Sequence, residues 1–289
     1  MGGVLPLSVD VTKPETIDIA IQKGIERFGS INVLANIAGI SSYETFEETT
    51  DEEVRNVMET NFWGTYNTCR ALIKYFRENN NGTIINCTSI IGLVPRTHGV
   101  AYCSSKHAIE GLTGVLWLET QNFNCRVMSV EPGLYPSNIA KDKKSFFETK
   151  FQEYIFPNSQ VINLQRNYKN DLQIAVNSII DTVENEKMPR RLLLGKDCIK
   201  RVRFEIKSLL KDIKFATPIS SKIAMRFDDK HYTFIDDLKY EAKRLRKFLS
   251  YLRWFILEKL SLNKEKKNYY LEKQNSLLNQ FKETWLKKC

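Results

Sequence analysis

Two side chains spaced one helical turn apart could carry out acid–base chemistry in this chain. Tyr102 and Lys106 have the pattern Tyr-x-x-x-Lys, which puts both side chains on one face of a helix. An ammonium group held there favours a phenolate, so it lowers the pKa of the tyrosine toward a value useful for proton transfer near neutral pH. Ser89, thirteen positions before Tyr102, could hold a carbonyl or alcohol oxygen beside the phenol. These residue types predict protonation of a carbonyl while another group delivers a hydride.

The residues around this set alternate between short β-branched runs and longer amphipathic segments as far as about residue 135. That alternation is typical of βαβ units and predicts a parallel sheet covered by helices. One predicted helix runs from about Asp51 to Glu78, and another carries Tyr102 and Lys106 and continues through Leu116. An α/β fold would supply the strand ends and helices that this chemistry requires.

Five motifs occur in the order and at the spacing of the short-chain dehydrogenase/reductase family, which the chain resembles from about residue 4 to about residue 228. Each motif alone is common, but their joint register over about a hundred residues makes a chance resemblance improbable. The motifs are Asn36-Ile-Ala-Gly39, Asn61, Ser89, Tyr102 with Lys106, and Pro132-Gly133.

The resemblance implies a Rossmann-like, doubly wound parallel sheet in residues 1–228, followed by a basic helical extension in residues 229–289. The family's third to seventh strands correspond to residues 4–9, 31–35, 83–89, 127–133 and 191–195.

The beginning of the chain departs from the family pattern. The family starts with a strand, a glycine-rich turn and a helix whose N-terminus binds the cofactor pyrophosphate. Here Met1-Gly-Gly3 directly precedes the implied third strand, so the first two βα units are expected to be absent. We therefore expect NAD(P)H to bind weakly or not at all. We also expect strand 4–9 to pair directly with strand 31–35, because an unpaired sheet edge invites pairing.

The resemblance implies a reaction in which NAD or NADP takes part in the interconversion of an alcohol and a carbonyl. Tyr102 would be the general acid/base, and Ser89 would hold the substrate oxygen. Lys106 would bind the nicotinamide ribose and lower the pKa of Tyr102, and Asn61 would kink its helix and hold a water that links Lys106 to solvent. The implied cofactor-binding residues are Asp10 and Val11 at the adenine, Asn36, Ala38 and Gly39 near the ribose and pyrophosphate, and Tyr102, Lys106, Pro132, Gly133 and Ser137 at the nicotinamide.

A second interpretation is a non-catalytic relative, a binding or scaffold protein that acts through its basic tail. The intact Asn61, Ser89, Tyr102 and Lys106 favour the enzyme. The expected lack of a phosphate-binding turn favours the second interpretation. The sequence does not distinguish NAD from NADP, and it does not identify the small-molecule alcohol or carbonyl substrate.

The tail holds most of the positive charge. Residues 231–289 carry 14 Lys and Arg against 7 Asp and Glu, a net of +7 in a chain whose net charge is +9. A heptad stripe there predicts a helix that packs on its own domain, on a partner helix or on an anionic membrane. Nucleic acid is the least favoured partner, because no recognised binding module accompanies the charge. The stripe consists of Leu238, Ala242, Leu245, Leu249, Leu252 and Ile256.

The amino-acid composition indicates what class of protein this is. Hydrophobic residues make up 42% and charged residues 27% of the chain, as in globular proteins. The six cysteines include no Cys-x-x-Cys pair, which suits reduced thiols and predicts a cytoplasmic protein. The three histidines are too scattered to predict a metal site.

The two long predicted helices form a dimer interface in the family, so a homodimer or homotetramer is implied, although the same apolar stripes could simply cover the sheet.

Overall fold

The structure, a computed structural model, describes residues 3–136, 139, 149–154 and 170–223. Ser137 and the predicted extension 229–289 lie outside the described residues. By its internal contacts the chain divides into two units, Met1–Phe215 and Ala216–Cys289. The sheet and the site described below belong to the first unit. The domain boundary after residue 228 stays a prediction.

Four parallel strands form one sheet, which confirms the predicted parallel α/β architecture. Their order along the sheet is the order along the chain, so each connection crosses over a face of the sheet. The register pairs Val33 with Thr83, Gly82 with Cys125 and Ser129 with Arg191. The strands are β1 (Val33–Asn36), β2 (Gly82–Cys87), β3 (Cys125–Pro132) and β4 (Arg191–Leu194).

Helices connect and cover these strands. The predicted helix from Asp51 to Glu78 is confirmed, with one interruption: a π-helical turn, Glu59–Trp63, lies between its two α-helical parts. Thr50 caps its beginning, where the Thr50 hydroxyl accepts a hydrogen bond from the Glu53 N–H. The α-helices are α1 (Pro14–Phe28), α2 (Asp51–Met58), α3 (Gly64–Glu78), α4 (Val100–Glu119), α5 (Leu172–Glu184) and α6 (Lys196–Ile223), and the 3₁₀ turns are Ile90–Gly92, Thr120–Asn122 and Gln152–Tyr154.

Alternate residues of β2 and β3 fill the cores on the two faces of the sheet. Ile84 and Val127 are paired in register and pack in a cluster with Phe76 of α3. The next pair, Ile85 and Met128, belongs to a separate cluster that includes α5. Because successive side chains of a strand point to opposite faces, both faces of the central strands are buried. No described helix is both long and apolar enough to cross a lipid bilayer.

The predicted strand 4–9 is wrong, and so is its predicted pairing with residues 31–35. The structure places residues 4–9 outside the sheet, and Val4 is 92% exposed. The end of this segment is attached to α3 instead: the Val11 side chain packs against Gly64, and the Val11 carbonyl accepts a hydrogen bond from Asn67 Nδ2 at 3.1 Å. An apolar run becomes a strand only where a neighbour's backbone is in hydrogen-bonding reach, and α3 holds Val11 away from β1.

Candidate active site

The carboxyl end of β2 and the first turns of α4 bring three of the predicted residues together. Ser89 follows β2 and begins the turn Ile90–Gly92, where its hydroxyl accepts a hydrogen bond from the Ile91 N–H at 3.4 Å. Tyr102 and Lys106 lie one turn apart on α4, with the Lys106 ammonium 5.6 Å from the centroid of the Tyr102 ring. The Ser89 side chain also acts on the Tyr102 phenol, where it favours the ionised form. The predicted Ser–Tyr–Lys set is therefore one physical cluster.

Burial dominates the electrostatics of Tyr102. It raises the pKa of the phenol well above its usual range, and Cys87 and Tyr43 raise that pKa further. Ser89 and Arg96 act in the opposite direction, with smaller effect. The pKa of Tyr102 is therefore raised overall, whereas a lowered pKa was expected. The phenol is neutral, which is the form that can donate a proton.

Lys106 is almost completely buried, at 4% exposure. Its ammonium donates a hydrogen bond to the Cys87 carbonyl at 2.9 Å, so its charge is directed toward the end of β2. Burial lowers the pKa of Lys106. In this structure the nearest partner of the Lys106 ammonium is therefore a backbone carbonyl rather than the phenol oxygen.

Asn61 lies in the π-helical turn and connects that turn to the loop after β1. Its amide donates to the Ile40 carbonyl at 2.9 Å and to the Ser105 hydroxyl at 3.0 Å, and its Oδ1 accepts from the Ile40 N–H at 2.8 Å. The extra residue of a π turn shifts a side chain out of the α-helical pattern, and such turns are frequent at functional sites. Asn61 therefore holds this loop against the helix that carries Tyr102 and Lys106.

Gly39 lies at the point where the loop comes closest to the cluster. A Cβ at this position would be 3.1 Å from Asn61 Oδ1 and 3.6 Å from Lys106 Nζ. A side chain would therefore fill the space beside the Lys106 ammonium, and glycine keeps it open for a bound group.

The other predicted cofactor residues are more dispersed. Asn36 ends β1, but its amide is engaged within the sheet and donates to Asn86 Oδ1 at 2.8 Å. Asp10 lies in a local turn in which its carboxylate accepts hydrogen bonds from the backbone and hydroxyl of Thr12. Those hydrogen bonds lower the pKa of Asp10. Of the predicted set, Gly39, Asn61, Ser89, Tyr102 and Lys106 are brought together. Pro132 ends β3 and Gly133 follows it, and Asp10 and Val11 lie in the N-terminal segment.

Comparison with known proteins agrees with this geometry. The family model for short chain dehydrogenases matches residues 2–146, half of the chain. The chain belongs to this family. A curated relative, an uncharacterized oxidoreductase of Schizosaccharomyces pombe, is 38% identical over 130 residues, which are 45% of this chain and 55% of the relative. Another, the 3-ketodihydrosphingosine reductase of Bacteroides thetaiotaomicron, is 36% identical over 143 residues, 50% of this chain and 53% of the relative.

Solved structures show the same family fold. A short-chain dehydrogenase from Streptomyces avermitilis superposes with a TM-score of 0.68 at 28% identity, covering 76% of this chain and 81% of that one. A structure of ElxO with NADP bound superposes with a TM-score of 0.53 at 27% identity, covering 64% of this chain and 74% of that one. The chain spans about half the length of the curated relatives it matches.

The sequence analysis missed one carboxylate of this short-chain dehydrogenase, Asp197 in the first turn of α6. Its Oδ2 accepts the Leu134 N–H at 2.8 Å, and its Oδ1 accepts from Asn170 Nδ2 at 2.9 Å. Asn170 also donates to the Leu134 carbonyl at 2.9 Å. Asp197 lies so close to Gly133 that no side chain fits there. An acidic residue at a helix N-terminus directly after a strand and a glycine is the signal that could have found it.

Two buried glutamates, Glu110 and Glu131, were also missed. Glu131 on β3 is completely buried, and Glu110 on α4 is 6% exposed. The guanidinium of Arg191 lies 2.9 Å from Glu110 Oε2 and 3.7 Å from Glu131 Oε1. Burial raises the pKa of Glu131 to about 8. One arginine therefore contacts two carboxyl groups, and burial favours the neutral form of Glu131.

Proposed function

We propose that this protein is an NAD(P)-dependent oxidoreductase that interconverts an alcohol and a carbonyl. The observation that carries the proposal is the half-buried Tyr102 phenol, which interacts with the Ser89 side chain and whose ring centroid lies 5.6 Å from the Lys106 ammonium, in a chain of the short-chain dehydrogenase family. A phenol held neutral by burial beside a second hydroxyl is suited to protonating an oxygen that gains charge during reaction.

Each residue of the site has a separate task in this proposal. In the reducing direction, Ser89 donates a hydrogen bond to the substrate carbonyl and fixes its position. Tyr102 then gives its proton to the same oxygen as negative charge develops there. Lys106 stabilises the phenolate that remains. Asn61 holds the loop after β1 in place and binds a water through which a proton returns from solvent to Tyr102. In the oxidising direction Tyr102 takes up the alcohol proton.

The nicotinamide cofactor supplies or accepts the hydride when it is bound. The space that Gly39 keeps open beside Lys106 Nζ fits such a group, and it supports a role for Lys106 in binding a ribose hydroxyl. The same cofactor-binding region would also be lined by Asn36, Ala38, Pro132 and Gly133. Asp10 and Val11 would lie farther away, at the adenine. The NADP in the ElxO structure supports NAD(P) as the class of cofactor for this chain.

We also propose that the protein is cytoplasmic and forms a homodimer or homotetramer. Apolar side chains on and beside α2, the π turn and α4 support self-association, because burying them would exclude water from a contiguous surface. They include Phe46 at 76% exposure, Trp63 at 44%, Val115 at 51% and Leu118 at 61%.

The proposal is tested with the full chain, NADH or NADPH, and a panel of aldehydes and ketones, by the loss of cofactor absorbance. The cofactor concentration is raised until the rate no longer increases. Tyr102→Phe should lower turnover about 100- to 10,000-fold, since the proton donor is lost while the ring remains.

Tyr66→Phe is the matched control, because its hydroxyl accepts a hydrogen bond from Arg70 away from the site. It should leave turnover unchanged. Wild-type turnover in Tyr102→Phe would contradict the assigned proton transfer. Absence of turnover in the wild-type chain with every carbonyl and both cofactors would contradict the proposed activity.

A further inference from the structure

A short loop and a turn meet beside Tyr102 and hold an arginine in place. Arg96 Nη2 donates a hydrogen bond to the Ser42 carbonyl at 3.2 Å, and the guanidinium lies 4.6 Å from the centroid of the Tyr43 ring. A Cβ at Gly99 would lie 3.1 Å from Arg96 Nη2, so a glycine at this position lets the backbone approach the guanidinium. Arg96 is thus positioned by contacts on three sides rather than extended into solvent.

Buried donors around this arginine have no partner in the described part of the chain. The hydroxyls of Ser41 and Ser42 and the Nε of Arg96 are buried without a hydrogen bond. The two serines are 9% and 0% exposed. Leaving such a group unsatisfied costs about 1–3 kcal/mol. Two neighbouring serines and an arginine that contacts one of them in the fold indicate a place where a ligand supplies acceptors.

The nearby carboxylates are already engaged. Asp197 accepts from Leu134 and Asn170, as described above. Glu48 accepts from the Lys150 N–H at 2.8 Å and from the Thr45 hydroxyl at 2.7 Å. Among the described residues, no carboxylate lies within ion-pair distance of Arg96. The positive charge of Arg96 is therefore available to an external anion.

A second guanidinium strengthens the positive field at this place. Burial lowers the pKa of Arg201 on α6, and the positive charge of Arg96 lowers it further. Tyr43 and Arg96 both act on the Tyr102 phenol. The Arg96 carbonyl also lies 4.0 Å from the Sγ of Cys103, the residue that follows Tyr102. The turn that carries Arg96 therefore lies beside the helical turn that carries Tyr102.

We propose that the substrate carries a carboxylate, which Arg96 binds together with the hydroxyls of Ser41 and Ser42 while Tyr102 acts on the reacting oxygen. A guanidinium presents its N–H groups in a plane that matches the two oxygens of a carboxylate. The hydroxyls of Ser41 and Ser42 can each donate a hydrogen bond to the lone pairs of the carboxylate that the guanidinium leaves unpaired. This inference rests on the proposed function for turnover, but the binding of a carboxylate can be measured without it.

The first experiment compares a keto acid with its methyl ester as substrates of the full chain. Arg96→Gln should lower kcat/KM for the keto acid about 10- to 150-fold, the range expected for losing a hydrogen bond to a charged group. The ester should change less than about threefold. Arg77→Gln on the exposed face of α3 is the matched control and should affect neither substrate. Equal losses for acid and ester would overturn the proposal, because they would indicate a structural role for Arg96.

The second experiment measures binding without turnover, as the rise in Tm of the full chain with benzoate, benzamide or inorganic phosphate. Benzoate should raise Tm in the wild-type chain and not in Arg96→Gln, and benzamide should have no effect in either. Equal shifts with benzoate and benzamide would overturn the proposal, and so would a shift with phosphate alone. If benzoate binds through Arg96 but no carbonyl compound is turned over, the carboxylate site stands and the proposed oxidoreductase activity fails.

Ser42→Ala separates a binding role from a structural one even if Arg96→Gln fails to fold. Because the Ser42 hydroxyl is buried without a partner, its removal should leave Tm unchanged or raise it. The same variant should weaken benzoate binding about fivefold, as expected for one neutral hydrogen bond. A lower Tm with unchanged benzoate binding would contradict the proposal.

Discussion

The centre of the sheet and its β1 edge differ in how completely their side chains are buried. At the centre, Phe76 and Ile84 are 0% exposed. At the edge, Phe28 of α1 is 47% exposed and Val33 of β1 is 46% exposed. The Ser89, Tyr102 and Lys106 cluster is built on the centre, whereas Asp10 and Val11 belong to the edge. The acid–base groups are thus held by the part of the fold that is packed on all sides.

The difference follows from the number of strand neighbours. β2 and β3 each pair with a strand on both sides and carry helices on both faces. Their backbone groups are therefore hydrogen-bonded and their side chains are buried. Within the described residues β1 pairs only with β2. We therefore expect changes at the centre to alter stability strongly and changes at the edge to alter it little.

The largest predicted difference compares two phenylalanines. Phe76→Ala should lower the free energy of unfolding by about 3–5 kcal/mol, because it leaves a cavity in the core beside Ile84. Phe28→Ala removes the same atoms from a half-exposed site and should cost less than about 1 kcal/mol. Urea denaturation of both variants measures the difference. Similar losses for the two would show that the edge is as tightly packed as the centre.

An intermediate effect is predicted for pH and the buried Glu131. Its pKa rises from 4.5 in the unfolded chain to about 8 in the folded protein. The raised pKa contributes stability at low pH, and that contribution is lost as the pH rises from about 4.5 to about 8. Glu131→Gln cannot ionise, so the wild type should lose stability relative to this variant as the pH rises across this range.

Urea denaturation of wild type and Glu131→Gln at several pH values measures this effect. Ser129→Ala, which removes the hydrogen bond that the Ser129 hydroxyl donates to Glu131 at 2.6 Å, is the companion variant. Because that hydrogen bond lowers the pKa of Glu131, its loss should extend the pH-dependent range upward. Parallel stability curves for wild type and Glu131→Gln would contradict a raised pKa.

The smallest effect is expected at the edge. Val33→Lys places a charge on the outer strand and should change the free energy of unfolding by less than about 0.5 kcal/mol. It should also reduce self-association at high concentration, because a charged edge strand resists pairing with another chain. Light scattering and urea denaturation measure the two effects, with Val33→Thr as the uncharged control. A large loss of stability would mean that Val33 is covered in the folded protein.

The sequence predicted the centre of the molecule better than its edge, for a physical reason. Buried strands such as β2 and β3 are nearly continuous apolar runs, and the helix from Asp51 to Glu78 has a long apolar stripe. Residues 4–9 have the same apolar character, but a strand also depends on a partner's position, which local sequence does not contain.

Within the site, the types and spacing of Ser89, Tyr102 and Lys106 predicted their proximity. The pKa of Tyr102 was predicted in the wrong direction, because it depends on burial and on where the Lys106 ammonium points. Asp197 was missed because its partners Asn170 and Leu134 are 27 and 63 positions away in the chain. Contacts of that kind are set by the packing of strand ends and leave no local pattern.

The Asp197 contacts have a consequence for how relatives of this protein can diverge. Leu134 and Asn170 bind the same carboxylate, so both ends of the stretch between them are fixed at one point. Changes in the length of the stretch between Leu134 and Asn170 should therefore leave Pro132 and Gly133 in place. Relatives could therefore differ in the segment between Leu134 and Asn170, and so in substrate specificity, while the residues that carry out the reaction keep their places.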